Sequence, residues 1–91
     1  MEIYFAPSFQ RIIKKMDSPV KESIKNSVKQ IIDFYNSGQK TSGLGIKNLR
    51  GTLWEARSGI KVRVLYDLSE NQLTFVLAGS HDNVKNFLKR I

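Results

Sequence analysis

The sequence predicts an α+β fold in which a small antiparallel sheet packs against a helical hairpin and a C-terminal helix. Apolar residues recur at helical spacing in the first half, alternate with polar residues in the second half, and return to helical spacing at the end. The predicted order of elements is therefore β-α-α-β-β-β-α. A length of 91 residues with 41% apolar residues fits one domain over residues 1–91 with one small core.

A short strand and two helices make up the predicted first half. Residues 2–6 are β-branched and aromatic, which favours a strand, and Pro7 with the serine after it ends that strand. Apolar residues at i, i+3, i+4 and i+7 predict a helix over residues 9–16. An Asp-Ser-Pro start and a continuous apolar face predict a second helix over 17–36, and Gly38 suits the left-handed position that follows a helix.

Three strands and a helix make up the predicted second half. They follow residues 38–50, which contain three glycines and are predicted to form a loop. Ser58-Gly59 is expected to be a two-residue hairpin turn between the first two strands. The final amphipathic helix begins with Ser80 or Asp82 as its cap. The three strands are predicted at residues 52–57, 60–68 and 72–78.

The central one of these strands has two unlike faces because its side chains alternate. One face is apolar or aromatic (Ile60, Val62, Val64 and Tyr66) and is expected to pack on the helices. The other face, with the end of the preceding strand, presents Glu55, Arg57, Lys61 and Arg63. Guanidinium groups bind phosphate oxygens in pairs and stay charged at physiological pH, so this face suits a phosphodiester. A solvated outer face with cross-strand ion pairs is the alternative.

The formal net charge of +7 indicates a polyanionic partner such as nucleic acid, an anionic membrane or an acidic protein. No apolar run is long enough to span a bilayer and no signal peptide is recognised, so we expect a cytoplasmic protein that does not act on a membrane. The absence of cysteine excludes disulfides. Residues 47–63 concentrate the charge, with the acid Glu55 and the bases Lys47, Arg50, Arg57, Lys61 and Arg63.

His81 is the only histidine and lies at the predicted start of the last helix. A helix N-terminus favours the neutral imidazole, which can act as a base near neutral pH, whereas a surface histidine without a function is the alternative. Lys85, one turn later, points the same way. Trp54 and Tyr66 lie opposite their charged neighbours and are expected in the core. No cluster of carboxylates or histidines has metal-ligand spacing, so neither a metal nor another cofactor is predicted.

Residues 44–91 resemble the RelE/ParE toxin superfamily, in particular its branch of ribosome-associated mRNA interferases. The resemblance rests on three stretches, LGIKNLRGTLWEAR, IKVRVLYDL and LTFVLAGSHDNVKNFL. The first contains a leucine-glycine turn into a strand that ends in Arg. The resemblance implies the RelE-like microbial RNase fold and a toxin of a type II toxin–antitoxin module.

The resemblance also implies roles for individual residues. Arg63 matches the strand arginine that contacts the scissile phosphate, and Arg57 matches a basic residue that ends the preceding strand. Both are expected to stabilise charge in the transition state. Lys47 and Arg50 fall where family members contact ribosomal RNA or message, and Lys61 is expected to support RNA binding.

The proton-transfer residues depart from the pattern of the family. Its common Gly-His-Arg is replaced here by Gly-Ser-His, so that the histidine stands one position late, at His81. Lys85 occupies the place of a common tyrosine. Glu55 or His81 is therefore the expected general base, and His81 or Lys85 the expected general acid.

The activity that the resemblance implies is metal-independent cleavage of mRNA on the ribosome. The 2′-hydroxyl of the message attacks the adjacent phosphate and leaves a 2′,3′-cyclic phosphate. The implied partners are the ribosome, its mRNA and an acidic antitoxin encoded nearby. Two alternatives stay open from the residues alone: a non-enzymatic ParE-like toxin that inhibits DNA gyrase, and a simple RNA-binding module.

Overall fold

The structure is a computed structural model that describes residues 1–38 and 44–91. It confirms the predicted α+β fold and the predicted order of elements, with one additional strand. In chain order, the helices and strands of the described residues are β1 (Glu2–Phe5), α1 (Pro7–Lys14), α2 (Ser18–Ser37), β2 (Lys47–Arg50), β3 (Leu53–Ser58), β4 (Val62–Ser69), β5 (Gln72–Gly79) and α3 (His81–Arg90).

The five strands form one mixed sheet in the order β1-β5-β4-β3-β2. Strands β2 to β5 form the predicted antiparallel meander, and β1 pairs in parallel with β5, so the sheet is mixed where the prediction had an antiparallel sheet. Helix α1 packs against β5 and α2 against β3. The helical hairpin thus carries the chain across the sheet from the β1 edge toward the β2 edge. Residues 6–71 separate β1 from β5, so the parallel pairing of these two strands is not restricted by a tight hairpin.

The additional strand β2 corrects the prediction of a loop over residues 38–50. Its residues Lys47–Arg50 pair antiparallel with β3, and the side-chain amide of Asn48 donates to the carbonyls of Gly51 and Leu53. The strand is short, polar and at the sheet edge, so it lacks the apolar alternation by which strands are recognised. The rest of the predicted loop includes residues 39–43, which lie outside the described residues.

The connection between β3 and β4 has three residues rather than the predicted two. Ser58 pairs with Val62, so Gly59 to Lys61 form the turn, and Gly59 has a φ of +76° that suits glycine. Ile60 is consequently 92% exposed at the tip of the turn instead of packing in the core. The alternation beyond the turn is as predicted, because Val62 and the following residues keep their faces.

Most of the helix-start and helix-end residues predicted from the sequence lie at or near the observed helix ends. Helix α1 begins at Pro7, two residues before the predicted start, and the hydroxyl of Ser8 in its first turn donates to the carbonyl of Val76 at 2.8 Å. Helix α2 ends at Ser37 and is followed by Gly38, whose φ of +78° is the left-handed conformation expected after a helix. Ser80 caps α3 in a capping box, which decides between the two predicted caps.

The main core lies between the sheet and the helical hairpin. Tyr66 is fully buried there, and its hydroxyl hydrogen-bonds that of Tyr35 at 2.8 Å. Burial raises the pKa of Tyr66, and the hydrogen bond to Tyr35 raises it further. Trp54 is half-buried against the same core, so both predicted core aromatics lie in it. The buried members are Phe9, Ile24, Val28, Ile31, Leu44, Ala56, Val64, Tyr66, Leu73, Phe75 and Ala78.

The face of the sheet that carries the charged side chains is partly covered by α3. Leu65 lies on this face, opposite Glu55, and has no exposed surface. Val84 of α3 is only 4% exposed, and α3 packs against β4 and β5. This face is therefore apolar under the helix and polar beyond it. Within residues 1–38 and 44–91, no helix has the length and apolar character needed to cross a membrane.

Candidate functional site

The pairing of β3 with β4 brings the predicted charged residues together. Arg57 lies directly opposite Arg63, and Glu55 lies two residues away on the same face. Two guanidinium groups that face each other across a ladder repel, so an arrangement of this kind favours a bound anion or an intervening carboxylate. The structure supplies the carboxylate through Glu55.

Glu55 and Arg63 form an ion pair in which Arg63 Nε lies 3.3 Å from Glu55 Oε1. The side chains are 11% and 21% exposed, so water screens this pair less than a surface pair. Arg63 Nη1 also donates to the carbonyl oxygen of Ile60 at 3.3 Å. Two anchors from different segments fix the plane of the guanidinium group. The remaining N–H groups of Arg63 are thereby oriented for a ligand.

The backbone of Arg57 is held from two sides. Its N–H donates to the carbonyl of Leu44 at 2.6 Å, and its carbonyl accepts from the hydroxyl of Ser27 at 3.3 Å. Its side chain crosses Gly45 so closely that a Cβ there would lie 3.1 Å from Arg57 Cδ and Nε. Gly45 also has a φ of +54°, which glycine adopts without strain.

His81 and Lys47 complete the site from two further elements. His81 is the first residue of α3, directly after the Ser80 cap, and Lys47 is the first residue of β2. Lys47 lies opposite Glu55 in the backbone pairing of β2 with β3. Together these elements enclose a cleft of about 160 Å³, here called the first cleft, which is lined by Gly45, Lys47, Glu55, Arg57, Arg63 and His81.

A second cleft of about 190 Å³ adjoins the first between β2 and α3. Lys47, Glu55 and His81 line both clefts. Lys85 lies in the second cleft, one helical turn after His81, as its spacing predicts. The second cleft is lined by Lys47, Leu49, Glu55, His81, Val84, Lys85 and Leu88.

Arg50 and Lys61 are the two predicted site residues that line neither cleft. Arg50 ends β2, and Lys61 lies in the turn between β3 and β4, where its side chain is exposed. Lys61 was expected on the strand, but the three-residue turn removes it from the sheet. Both remain candidates for contacts with an extended polyanion.

Comparison with known proteins gives a result for the fold but none for the sequence. No protein-family model matches the chain, and the comparison with curated proteins gave no match. Solved structures do match. A chain of the Escherichia coli DinJ–YafQ complex aligns with a TM-score of 0.73 at 16% identity, over 91% of this chain and 96% of that one.

Two further structures agree with the first. A chain of the RelB–RelE antitoxin–toxin complex from Methanococcus jannaschii aligns with a TM-score of 0.68 at 19% identity, over 92% and 96% of the two chains. A YoeB/ParE toxin from Agrobacterium tumefaciens aligns with a TM-score of 0.67 at 17% identity, over 89% and 99%. The chain has the RelE-like toxin fold. The resemblance stated from the sequence is confirmed at this level.

Within the RelE-like fold, the first cleft joins three cations, one carboxylate and one imidazole. Such a set can hold a phosphate group and exchange protons with it. Among the described residues, no group of three or more histidine, cysteine, aspartate or glutamate side chains is placed to hold a metal ion. The ionisable side chains that line the first cleft are Lys47, Glu55, Arg57, Arg63 and His81.

Gly45 is the site residue that sequence reasoning missed, because the glycines of the predicted loop were interpreted as simple loop residues. Its contribution is a missing side chain, which leaves room for Arg57. The available signal was the leucine-glycine turn immediately before the basic strand. The hydrogen bond from Ser27 to Arg57 gave no signal, since a serine on the inner face of a helix is ordinary in a sequence.

Proposed function

We propose that residues 1–91 form a single toxin domain of a type II toxin–antitoxin system that cleaves mRNA on the ribosome without a metal. One observation carries the proposal: Lys47, Arg57, Arg63, Glu55 and His81 converge in one open cleft. They come from β2, β3, β4 and α3 of a RelE-like fold. Charged side chains that only solvate a surface have no need to meet a carboxylate and an imidazole in one cleft.

Cleavage begins when the 2′-hydroxyl of one nucleotide attacks the phosphate on its own 3′ side. The 2′-O–P bond forms and the P–O5′ bond breaks, which leaves a 2′,3′-cyclic phosphate and a 5′-hydroxyl end. Negative charge grows on the non-bridging oxygens in the transition state. Arg57 and Arg63 stabilise that charge, and the anchoring of Arg63 by Glu55 and Ile60 avoids reorganisation during the reaction.

Two proton transfers accompany the displacement, and the first cleft contains two groups for them. Glu55 lies on its floor beside Arg63 and acts as the general base for the 2′-hydroxyl. His81 is exposed at the start of α3 and protonates the leaving 5′ oxygen. Lys85, in the second cleft, is the alternative acid. Lys47, Arg50 and Lys61 bind the RNA backbone or the ribosome.

The small size of the first cleft supports a requirement for the ribosome. A volume of about 160 Å³ holds a phosphate and part of a sugar, but it does not enclose an RNA strand. A separate scaffold must therefore present the message in the reactive geometry. Holding the reacting groups in that geometry removes a large part of the activation free energy. This activity places the protein in the cytoplasm.

The experiment is primer extension on purified ribosomes that translate a defined message. Wild-type protein cleaves the message, and Arg63→Ala lowers the rate by roughly 100-fold or more, as for the loss of one donor to a developing oxyanion. Arg11→Ala removes the same charge from an exposed position on α1 and leaves the rate unchanged. A 2′-deoxynucleotide at the scissile position abolishes cleavage. Full activity of Arg63→Ala, or cleavage of the deoxy-substituted message, refutes the mechanism.

Primer extension, combined with assays of DNA supercoiling, RNA binding and growth, separates the alternative functions. Intact message together with inhibition of gyrase-dependent supercoiling would identify a ParE-like toxin. Salt-sensitive RNA binding without cleavage and without an effect on growth would identify a simple RNA-binding module. The convergent cleft favours the nuclease over both.

We also propose an acidic antitoxin, encoded nearby, as the protein partner. The similar structures include the toxin–antitoxin complexes DinJ–YafQ and RelB–RelE. A mainly apolar groove of about 280 Å³ lies between the helical hairpin and β1, and Lys25 lines it together with Phe5, Phe9, Ile13, Ile24 and Val28. Its apolar walls and the net charge of +7 suit an amphipathic acidic segment. Co-purification with the product of the adjacent reading frame tests this pairing.

A further inference from the structure

We propose that Ser23 and Ser27 of α2 are positioning residues for the two arginines of the first cleft. The two serines stand four residues apart, so they share one face of α2, and both hydrogen-bond to residues at the end of β3. Neither serine is among the residues that line the cleft. The inference rests on the proposed function and adds to it the element that holds Arg57 and Arg63 in place.

Ser27 supplies a hydrogen-bond partner that the pairing of β2 with β3 does not give to Arg57. Strand β2 begins at Lys47, which lies opposite Glu55, so β2 does not extend alongside Arg57. The N–H of Arg57 donates to the carbonyl of Leu44 instead, and its carbonyl accepts from the hydroxyl of Ser27 at 3.3 Å. Loss of that hydroxyl frees the backbone from which the guanidinium group of Arg57 projects.

Ser23 holds the next residue of β3 and the start of the turn that follows it. Its hydroxyl hydrogen-bonds that of Ser58 at 2.9 Å, and Ser58 is only 3% exposed. Gly59 begins the turn so close to α2 that a Cβ there would contact Ser23 Oγ at 3.9 Å. One residue further, the carbonyl of Ile60 accepts from Arg63 Nη1. Ser23 therefore supports the turn that anchors the guanidinium group of Arg63.

The two serines act from the side of the sheet opposite the guanidinium groups. Arg57 and Ser58 are consecutive in β3, so their side chains point to opposite faces. Helix α2 can thus hold the backbone without competing for a phosphate.

This support matters because the two arginines oppose each other. Arg57 lies opposite Arg63 in the ladder, and their like charges repel. A phosphate accepts from both guanidinium groups at once only while their spacing is kept, and a displacement of about 1 Å can lower a rate roughly 100-fold. Two hydrogen bonds from one helix to the end of β3 resist such a displacement.

Titration of the purified protein with inorganic phosphate, followed by NMR of the arginine Nε resonances, tests the positioning role without the ribosome. Ser27→Ala shifts the resonance of Arg57 in the free protein, and Ser23→Ala shifts that of Arg63. Each variant weakens phosphate binding roughly 5-fold. In the ribosomal assay, each lowers the single-turnover cleavage rate roughly 10-fold and leaves the affinity for the ribosome unchanged, because neither serine lines the cleft.

Two further variants separate positioning from stability. Ile31→Val is the matched control, because Ile31 lies one turn after Ser27 on α2, has no exposed surface and has no polar side-chain group. It lowers the denaturation midpoint as Ser27→Ala does, but it leaves phosphate affinity and cleavage unchanged. Ser27→Thr keeps the hydroxyl and restores both values. In an Arg57→Ala background, Ser27→Ala has no further effect on phosphate binding.

The outcomes distinguish the positioning role from the proposed function. Serine variants with wild-type phosphate affinity and cleavage rate, or with effects no larger than those of Ile31→Val, overturn the positioning role. Weakened phosphate binding in the serine variants of a protein whose wild type cleaves no message supports the positioning role and overturns the proposed function.

Discussion

Gly45 and Gly51 have nearly the same backbone conformation but different surroundings. Their φ angles are +54° and +53°, and both flank β2. A Cβ at Gly45 would press on the side chain of Arg57 at 3.1 Å, whereas a Cβ at Gly51 would meet nothing within 4 Å. At the scale of single residues, substitutions at these two glycines can therefore distinguish the effect of backbone strain from the effect of displacing Arg57.

Substitution of each glycine by alanine tests whether Gly45 positions Arg57. Both variants lose about 1 kcal/mol of unfolding free energy, because alanine is strained at positive φ. Gly45→Ala also lowers the cleavage rate roughly 10-fold or more through displacement of Arg57, while Gly51→Ala stays within about twofold of wild type. Chemical denaturation and the ribosomal cleavage assay measure the two effects.

A double variant supplies the control for this prediction. In an Arg57→Ala background, Gly45→Ala has no further effect on cleavage, because the group that it displaces is absent. An additional loss in that background would show that Gly45 acts through another part of the cleft.

At the scale of elements, the first turn of α3 determines where His81 lies. Ser80 accepts from the backbone N–H of Asn83 at 3.2 Å, and the side chain of Asn83 accepts from the backbone N–H of Ser80 at 2.9 Å. Asn83 also packs against Gly79, where a Cβ would lie only 2.8 Å from its Oδ1. This reciprocal capping joins the start of α3 to the end of β5, and so fixes the imidazole beside the sheet.

Removal of the cap is expected to loosen the helix start before it affects the rest of the protein. Ser80→Ala lowers the unfolding free energy by about 1 kcal/mol and speeds hydrogen exchange of the amides in the first turn of α3. Ser18→Ala changes the first residue of α2, where Asp17 and not the serine is the N-cap, and it has a smaller effect on both measurements. Equal losses from the two substitutions would contradict a special role for the Ser80 cap.

At the scale of the whole molecule, the sheet and α2 are joined by a hydrogen bond inside the core. The hydroxyls of Tyr35 and Tyr66 meet at 2.8 Å, and Tyr66 has no exposed surface. Burial and this hydrogen bond raise the pKa of Tyr66 above its ordinary value near 10. The folded protein therefore retains a proton that the unfolded chain releases above that pH.

This difference predicts a loss of stability in alkali. Below the pKa of the unfolded chain both states hold the proton, so the contribution of Tyr66 is fully present. As the pH rises from 9 to 11, the unfolded state loses its proton first and the unfolding free energy falls by about 1 kcal/mol through this group. Guanidinium denaturation at both pH values measures the change, and Tyr66→Phe lacks this component. A parallel decline in the variant would refute it.

Much of this fold can be predicted from the sequence because local interactions determine it. The apolar face of α2, the Gly38 terminus and the Ser80 cap depend on residues a few positions apart. The alternation of side chains along β3 and along β4 follows from strand periodicity, so the candidate residues on each strand can be named from the amino-acid sequence. The shared face of Arg57 and Arg63 depends on the three-residue turn, because the predicted two-residue turn would pair Arg57 with Ile60 and place it on the opposite face.

Tertiary structure alone decided how the site is closed. Strand β2 lacks an apolar pattern, and its pairing with β3 places Lys47 opposite Glu55 and Leu49 opposite α3. The parallel pairing of β1 with β5 also has no signal in the local sequence. The space above Gly45 and the wall shared by the two clefts depend on elements far apart in the chain. Such contacts arise from packing and long-range hydrogen bonding, which the sequence determines only through the fold as a whole.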